Sequence, residues 1–340
     1  MKTLYWAFAL ILSLHVNVFA QQQQFASIGD LKLRDGGVIR QCRVGYRTFG
    51  KLNAEKSNVV VLLTWAGGTT EQLTSSIGPG KLIDSSRYFV VAIDALSNGV
   101  SSSPSNSRLQ PRMRFPKFTL RDTVESQHQL LTKVLRIERV KAILGISMGG
   151  MQVFQWVVSY PDFMEKAMPI VGSPRLAPYD LVHWQAQIEA LMRDRDWKGG
   201  NYAVNPSREV DFAFGELLLT TPADYNRRKT REQALADLAK ARRDTHRFDA
   251  NDKIRQTQAM MQLDVSREFG GSLERAAKAV KAKLLVVVAK LDHVVTPGPA
   301  TEFASAAGAK LLSLDSDCGH LATMCEAKRL DEAIVEFLKD

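Results

Sequence analysis

A succession of short apolar runs constrains the fold of this chain most: Val59 to Leu63, Tyr88 to Ile93, Val140 to Leu144, Ala167 to Val171 and Leu284 to Val288. They are nearly unbroken, and Val286-Val287-Val288 is β-branched throughout, which suits strands covered on both faces. Segments of helical period lie between or after them: Thr123 to Leu135, Gly150 to Tyr160, Pro299 to Ala307 and Leu321 to Leu338. Ahead of them, Phe25 to Leu33 and Val38 to Phe49 alternate like two strands around the Asp35-Gly36-Gly37 turn, and Leu311 to Leu314 reads as a last strand. The pattern predicts an α/β fold, a mostly parallel central sheet with antiparallel strands at its start. From about Pro174 to Ala279 the rhythm stops, and long helical stretches such as Tyr179 to Arg195 and Arg231 to Arg247 replace it. An insertion of that size over the strand ends would act as a cap above a pocket.

The first twenty residues read as a signal peptide. Lys2 is the positive end, Leu4 to Leu14 the apolar stretch, and Val18-Phe19-Ala20 the small-residue site, with cleavage expected after Ala20. The apolar stretch is too short for a spanning helix, and no second segment is long enough for one, so no stable membrane span is expected. The mature chain is thus expected to be secreted or periplasmic, with residues 21–173 and 280–340 as core and 174–279 as helical cap. Net charge is +9, much of it between Arg227 and Arg247, where eight Arg or Lys residues face Glu232, Asp237 and Asp244. A solvated helix face explains that excess, and no DNA-reading motif or aromatic-interleaved basic sheet accompanies it, so no nucleic-acid partner is expected. The sequence leaves a homodimer open. Cys318 and Cys325 are candidates to pair in an oxidising compartment, leaving Cys42 free, but spacing alone does not establish the bridge. No Cys/His cluster has zinc spacing and no phosphate-binding glycine loop is present, so neither metal nor cofactor is expected.

The chemistry centres on Gly145-Ile146-Ser147-Met148-Gly149-Gly150, which follows one apolar run and opens a helix. Strand, sharp turn and helix are the context that turns G-x-S-x-G into a nucleophile elbow, with Ser147 lifted above the sheet edge. A serine hydroxyl needs a base, and the base needs an orienting carboxylate. His128, His183 and His246 fall within helical segments and read as surface or packing residues. His320 follows the last strand and opens the final helix, while Asp292 ends the preceding strand; His293 beside it reads as structural. The order Ser147, Asp292, His320 is that of the α/β-hydrolase fold, and Asp315 and Asp317 lie too near His320 in sequence to fit it. An oxyanion hole would use the Met148 N–H and one from the turn Thr64 to Thr69, where Ala66 is the first choice and Trp65 the next. Gly67 and Gly68 would let that backbone approach a substrate.

These residues resemble the α/β-hydrolase superfamily and, more narrowly, the homoserine O-acetyltransferase family, over nearly the whole mature chain. GISMGGMQ, from Gly145 to Gln152, is similar to that family's elbow, and Phe115-Pro116 through Asp122-Thr123-Val124 to the segment before it. Asp196 to Tyr202 and Phe248-Asp249-Ala250-Asn251 resemble two cap motifs. The resemblance implies an acyl-enzyme on Ser147. Three positions depart from the transferase pattern: Leu321 stands where an aspartate follows the catalytic histidine, Phe214 where an arginine falls, and Thr221 where a tyrosine falls. A pocket without the bidentate guanidinium loses much of its selection for a charged amino acid. Trp65, Gly67, Phe214 and Leu321 are therefore the candidate substrate-binding residues. Export also separates the enzyme from cytoplasmic acetyl-CoA. The leading expectation is an esterase-type serine hydrolase of a small or medium acyl ester, ahead of an O-acyltransferase with an alcohol acceptor and of a non-catalytic binding protein.

Overall fold

The computed structural model describes residues 22–206, 209–243 and 248–339, with the side chains of Val210 and Asp211 excepted. The expected signal segment and His246 lie outside the described residues. Eight strands form one sheet: β1 (Gln24–Lys32), β2 (Val38–Phe49), β3 (Val59–Leu63), β4 (Phe89–Ile93), β5 (Val140–Ile146), β6 (Met164–Ile170), β7 (Lys283–Ala289) and β8 (Lys310–Leu314). Their order is β1-β2-β4-β3-β5-β6-β7-β8, antiparallel at β1/β2 and β2/β4 and parallel from β4 to β8.

Strand periodicity builds two cores from one sequence. Val59, Val61 and Leu63 join the cluster under one face, and Val60 and Leu62 the cluster under the other. Leu285 and Val287 alternate with Val286 and Val288 in the same way. Each such side chain gains roughly 1.5–3 kcal/mol on full burial, so an unbroken apolar strand is stable only at the centre of a sheet covered on both sides. The helices Leu120–Gln129, Met148–Ser159 and Gly298–Ala306 supply buried residues to the first core, and Ala327–Lys339 to the second.

Two helices differ from their expected bounds for local reasons. The one expected from Thr123 starts at Leu120 because Thr119 caps it reciprocally with Asp122, and it ends in a wider π turn over Leu130–Val134. The stretch expected to be helical from Leu321 to Leu338 breaks at Glu326, after a short turn Gly319–Leu321 and helix Ala322–Cys325.

Between β6 and β7 lie the helices Pro178–Arg193, Glu209–Leu219, Pro222–Arg228, Arg231–Ala241 and Ala250–Met261, with a small core of Ile188, Leu191, Trp197, Ala250 and Ile254. Several basic residues here are matched by carboxylates: Arg228 with Asp224, Lys229 with Asp237, Arg242 with Glu209. Among the described residues no helix is long and apolar enough to cross a membrane.

Candidate active site

The segments after β3, β5, β7 and β8 leave the carboxyl ends of parallel strands, where open α/β sheets place their sites. Ser147 stands between β5 and its helix with φ 58° and ψ −120°, a conformation that costs a side-chain-bearing residue about 1–3 kcal/mol. Close packing imposes it. A Cβ on Gly145 would sit 2.5 Å from the Gly149 carbonyl carbon, and one on Gly149 would sit 2.6 Å from the Leu63 oxygen. Ser147 N donates to Ile170 O at 2.9 Å, which ties the elbow to β6.

The Ser147 Oγ lies 2.9 Å from His320 Nε2, and His320 Nδ1 lies 2.6 Å from Asp292 Oδ2. A serine that donates to Nε2 requires the proton on Nδ1, where it is donated to Asp292. The other oxygen, Oδ1, accepts from Val294 N at 2.8 Å and Val295 N at 2.9 Å. Asp292 and His320 are both buried, so this polar chain is almost fully satisfied within the protein. His293 is half-buried beside it and takes no part in the chain. Asp315 and Asp317 are engaged elsewhere, with Lys290 and Arg227.

The helical insertion grips the turn that carries Asp292. Val294 O accepts from Trp184 Nε1 at 3.0 Å and from His183 Nε2 at 3.2 Å, and Thr296 donates from N and Oγ1 to Asp180. Burial pushes His183 down to about 4, so it stays neutral and donates through Nε2–H. Burial also pushes Asp180 up, with the charge of Asp292 adding to the effect.

A second grip falls just before His320. Thr221 Oγ1 donates to Asp317 O at 2.6 Å, and Arg227 holds the Asp317 carboxylate bidentately at 2.7 and 2.8 Å. The Cys318 and Cys325 sulfurs are bonded, with Cα atoms 6.5 Å apart, so a disulfide ring encloses His320. Cys42 is the remaining cysteine, and burial pushes its thiol up to about 12.

The third grip is on the turn after β3. Gly67 N donates to Gln256 Oε1 at 2.7 Å, and Gln256 Nε2 donates to Leu96 O at 3.1 Å. Gly68 N bonds Trp65 O, Thr69 N bonds Gln72 Oε1, and Thr70 N bonds Asp94 Oδ1. Trp65 and Ala66 are left as the turn's candidate donors; Ala66 is exposed and Trp65 half-buried. Met148 opens the nucleophile helix, where the first N–H groups have no partner within the helix. Gly67 has a role its spacing did not reveal: a Cβ there would meet the Phe248 ring at 2.8 Å, so the glycine makes room for an aromatic side chain of the insertion.

Phe214 is half-buried on the helix Glu209–Leu219, which packs against the Gly319–Leu321 turn that contains the half-buried Leu321. Thr221 caps the helix Pro222–Arg228 and spends its hydroxyl proton on Asp317 O. Asp224, Asp317 and Cys318 are the cluster nearest to a metal-ligand set among the described residues. It is a poor one, because the Cys318 sulfur is in the disulfide and Arg227 and Arg228 neutralise the two carboxylates.

Residues that sequence reasoning missed have a faint signal at best. Asp180, His183 and Trp184 share the buried face of their helix with Ile188 and Leu191, which singles them out as inward-facing polar groups without naming their partner. Gln256, 189 residues from Gly67, carries no local signal.

Comparison with known proteins bears on the fold and the family. The family model described as alpha/beta hydrolase fold matches residues 60–326. An ethyl acetate hydrolase of Pseudomonas veronii is 31% identical over 80% of this chain and 81% of its own. A homoserine O-acetyltransferase of Chlorobaculum tepidum is 32% identical over 93% of this chain and 94% of its own. The crystal structure of an acetylester hydrolase from Corynebacterium glutamicum superposes with a TM-score of 0.86 at 27% identity, covering 94% of this chain and 96% of that one.

Proposed function

The chain belongs to the α/β-hydrolase family of esterases and homoserine O-acetyltransferase-like enzymes, and from that premise we propose that it is an exported serine hydrolase of small acyl esters, acetyl esters foremost. The observation that carries this reading is the hydrogen-bonded chain Ser147–His320–Asp292 at the carboxyl edge of the sheet. Ser147 Oγ attacks the ester carbonyl while His320 Nε2 takes its proton. The developing oxyanion is bound by the N–H groups of Met148 and Ala66, or Trp65 in the place of Ala66. The tetrahedral adduct collapses, the alcohol leaves with the proton from His320, and Ser147 is left acylated. Water repeats the sequence with His320 again as base, releasing the acid and the free serine. Asp292 holds neutral His320 in the required tautomer before each attack and stabilises the imidazolium that follows.

Hydrolysis is favoured over transfer to homoserine by the residues at the departures. Phe214 and Leu321 offer no charge for an amino or carboxylate group, and the Thr221 hydroxyl is occupied by Asp317. Transfer remains the second reading because of the similarity to the Chlorobaculum tepidum enzyme. Export is supported by the amino-terminal sequence and by the disulfide, a bond that persists in oxidising compartments. The test is turnover of p-nitrophenyl acetate by the wild type and Ser147→Ala, with and without homoserine. Hydrolysis that depends on Ser147 and is indifferent to homoserine is expected; acetyl-homoserine formed faster than acetate would overturn it.

A further inference from the structure

Gln152 lies just over one turn into the nucleophile helix and is wholly buried. Its Nε2 donates to two carbonyls at once, Thr64 O at 3.0 Å and Met148 O at 3.1 Å. Its Oε1 accepts from Gln127 Nε2 at 2.6 Å, and Gln127 Oε1 accepts from Trp156 Nε1 at 2.9 Å. The result is a buried polar chain with each amide satisfied and with one end fixed by an indole.

The two carbonyls it joins belong to the two segments that carry the oxyanion donors. In a planar trans peptide the C=O and N–H are fixed relative to each other, so a bond to Thr64 O sets the orientation of the Trp65 N–H and the start of the Ala66 turn. The bond to Met148 O anchors the same amide to the first turn of the nucleophile helix, whose Met148 N–H, in one peptide plane with Ser147 O, is the other donor. Among the described residues the ladder between β3 and β5 stops at Leu63 and Gly145, and the turn beyond β3 leaves the sheet. We propose that Gln152 is a positioning residue that sets the spacing of the two oxyanion donors by tying Thr64 to Met148. The role rests on the serine acyl-enzyme reading above.

The amide is suited to this because it offers two protons on one planar nitrogen. Methionine has nearly the same volume but donates nothing, so Gln152→Met removes the side-chain donor from both carbonyls. Asparagine retains the amide and is one methylene too short to reach across. Because the oxyanion exists only after attack, loosening its donors lowers kcat and leaves KM nearly unchanged.

The test compares the full-length wild type with Gln152→Met and, should that variant be insoluble, with Gln152→Asn. Three quantities are measured: kcat and KM for p-nitrophenyl acetate, the pH profile of kcat/KM, and inhibition by a trifluoromethyl ketone, whose adduct with Ser147 places an oxygen between the donors. The expected result is a fall in kcat of roughly 10- to 100-fold, less than for outright loss of one donor. KM and the pH profile should stay near wild type, and the trifluoromethyl ketone should weaken by the same factor as kcat. Unchanged ketone affinity in a soluble variant would overturn the role, whatever happens to stability. A wild type that neither hydrolyses the ester nor is labelled at Ser147 by a fluorophosphonate would remove the acyl-enzyme reading and this role together. A reactive wild type with an indifferent Gln152 variant would remove the role alone.

Discussion

Replacing Asp292 by asparagine isolates one consequence of the geometry, the tautomer of His320. Asp292 uses Oδ1 to accept from Val294 N and Val295 N at 2.8 and 2.9 Å, and Oδ2 to accept from His320 Nδ1 at 2.6 Å. An asparagine is the same size. Its single carbonyl oxygen is claimed by the two backbone N–H groups, so its NH2 turns toward His320. Two donors would then meet at Nδ1, and the imidazole relieves the clash by moving its proton to Nε2. Nε2 then has no lone pair for the Ser147 proton, although every heavy atom stays within reach. The expected loss in kcat is on the order of 10⁴-fold, about 5.5 kcal/mol of transition-state stabilisation. Stability should change little, because the backbone partners of residue 292 remain satisfied. The assay is p-nitrophenyl acetate hydrolysis, with the thermal midpoint measured alongside. A folded Asp292→Asn enzyme within about tenfold of wild type would refute the tautomer argument.

Two further outcomes follow from groups other than the triad. Burial, reinforced by the charge of Asp249, pushes Asp252 up to about 8, and its carboxylate receives Ser105 N and Ser105 Oγ. A folded-state value above the unfolded one means the folded protein binds the proton more tightly, so this residue's contribution to stability is present in acid and fades as pH rises between about 4 and 8. Urea midpoints across that range should fall less steeply in Asp252→Asn, and an unaltered slope would show that the carboxyl is ionised throughout. Reducing the Cys318–Cys325 bond frees the short loop around His320 and should cost roughly 2.5 kcal/mol, seen as a thermal midpoint lower by a few degrees and as reduced kcat. A reduced, alkylated protein with unchanged midpoint and activity would show that the Asp317 and Thr221 contacts hold the loop unaided.

What the sequence reveals here follows from the range of the interactions. The central strands are legible because burial on both faces leaves an unbroken apolar run, and the elbow because its glycines sit where backbones touch within a few residues of Ser147. Asp292 and His320 are legible through their places after β7 and β8. The supports of these residues are not, because each is a contact between distant segments: Trp184 with Val294, Arg227 with Asp317, Gln256 with Gly67. An inward-facing glutamine on a helix looks the same whether it satisfies a neighbour or orders a turn. Gly67 shows the converse. Its spacing suggests open backbone beside a substrate, whereas its N–H and its Cα surface are taken up by Gln256 and Phe248.

The insertion between β6 and β7 is bonded to the turn behind Asp292, to the loop ahead of His320 and to the loop beside the serine's helix. That arrangement bears on how such enzymes change their chemistry over time. A roof resting on the walls could be exchanged between an esterase and a transferase as an independent module, altering only what fits beneath it. Here an exchanged segment would also have to reproduce three sets of anchor points, or the loops below would drift out of alignment. Divergence within such a lineage is then channelled toward single substitutions within the insertion and away from wholesale replacement.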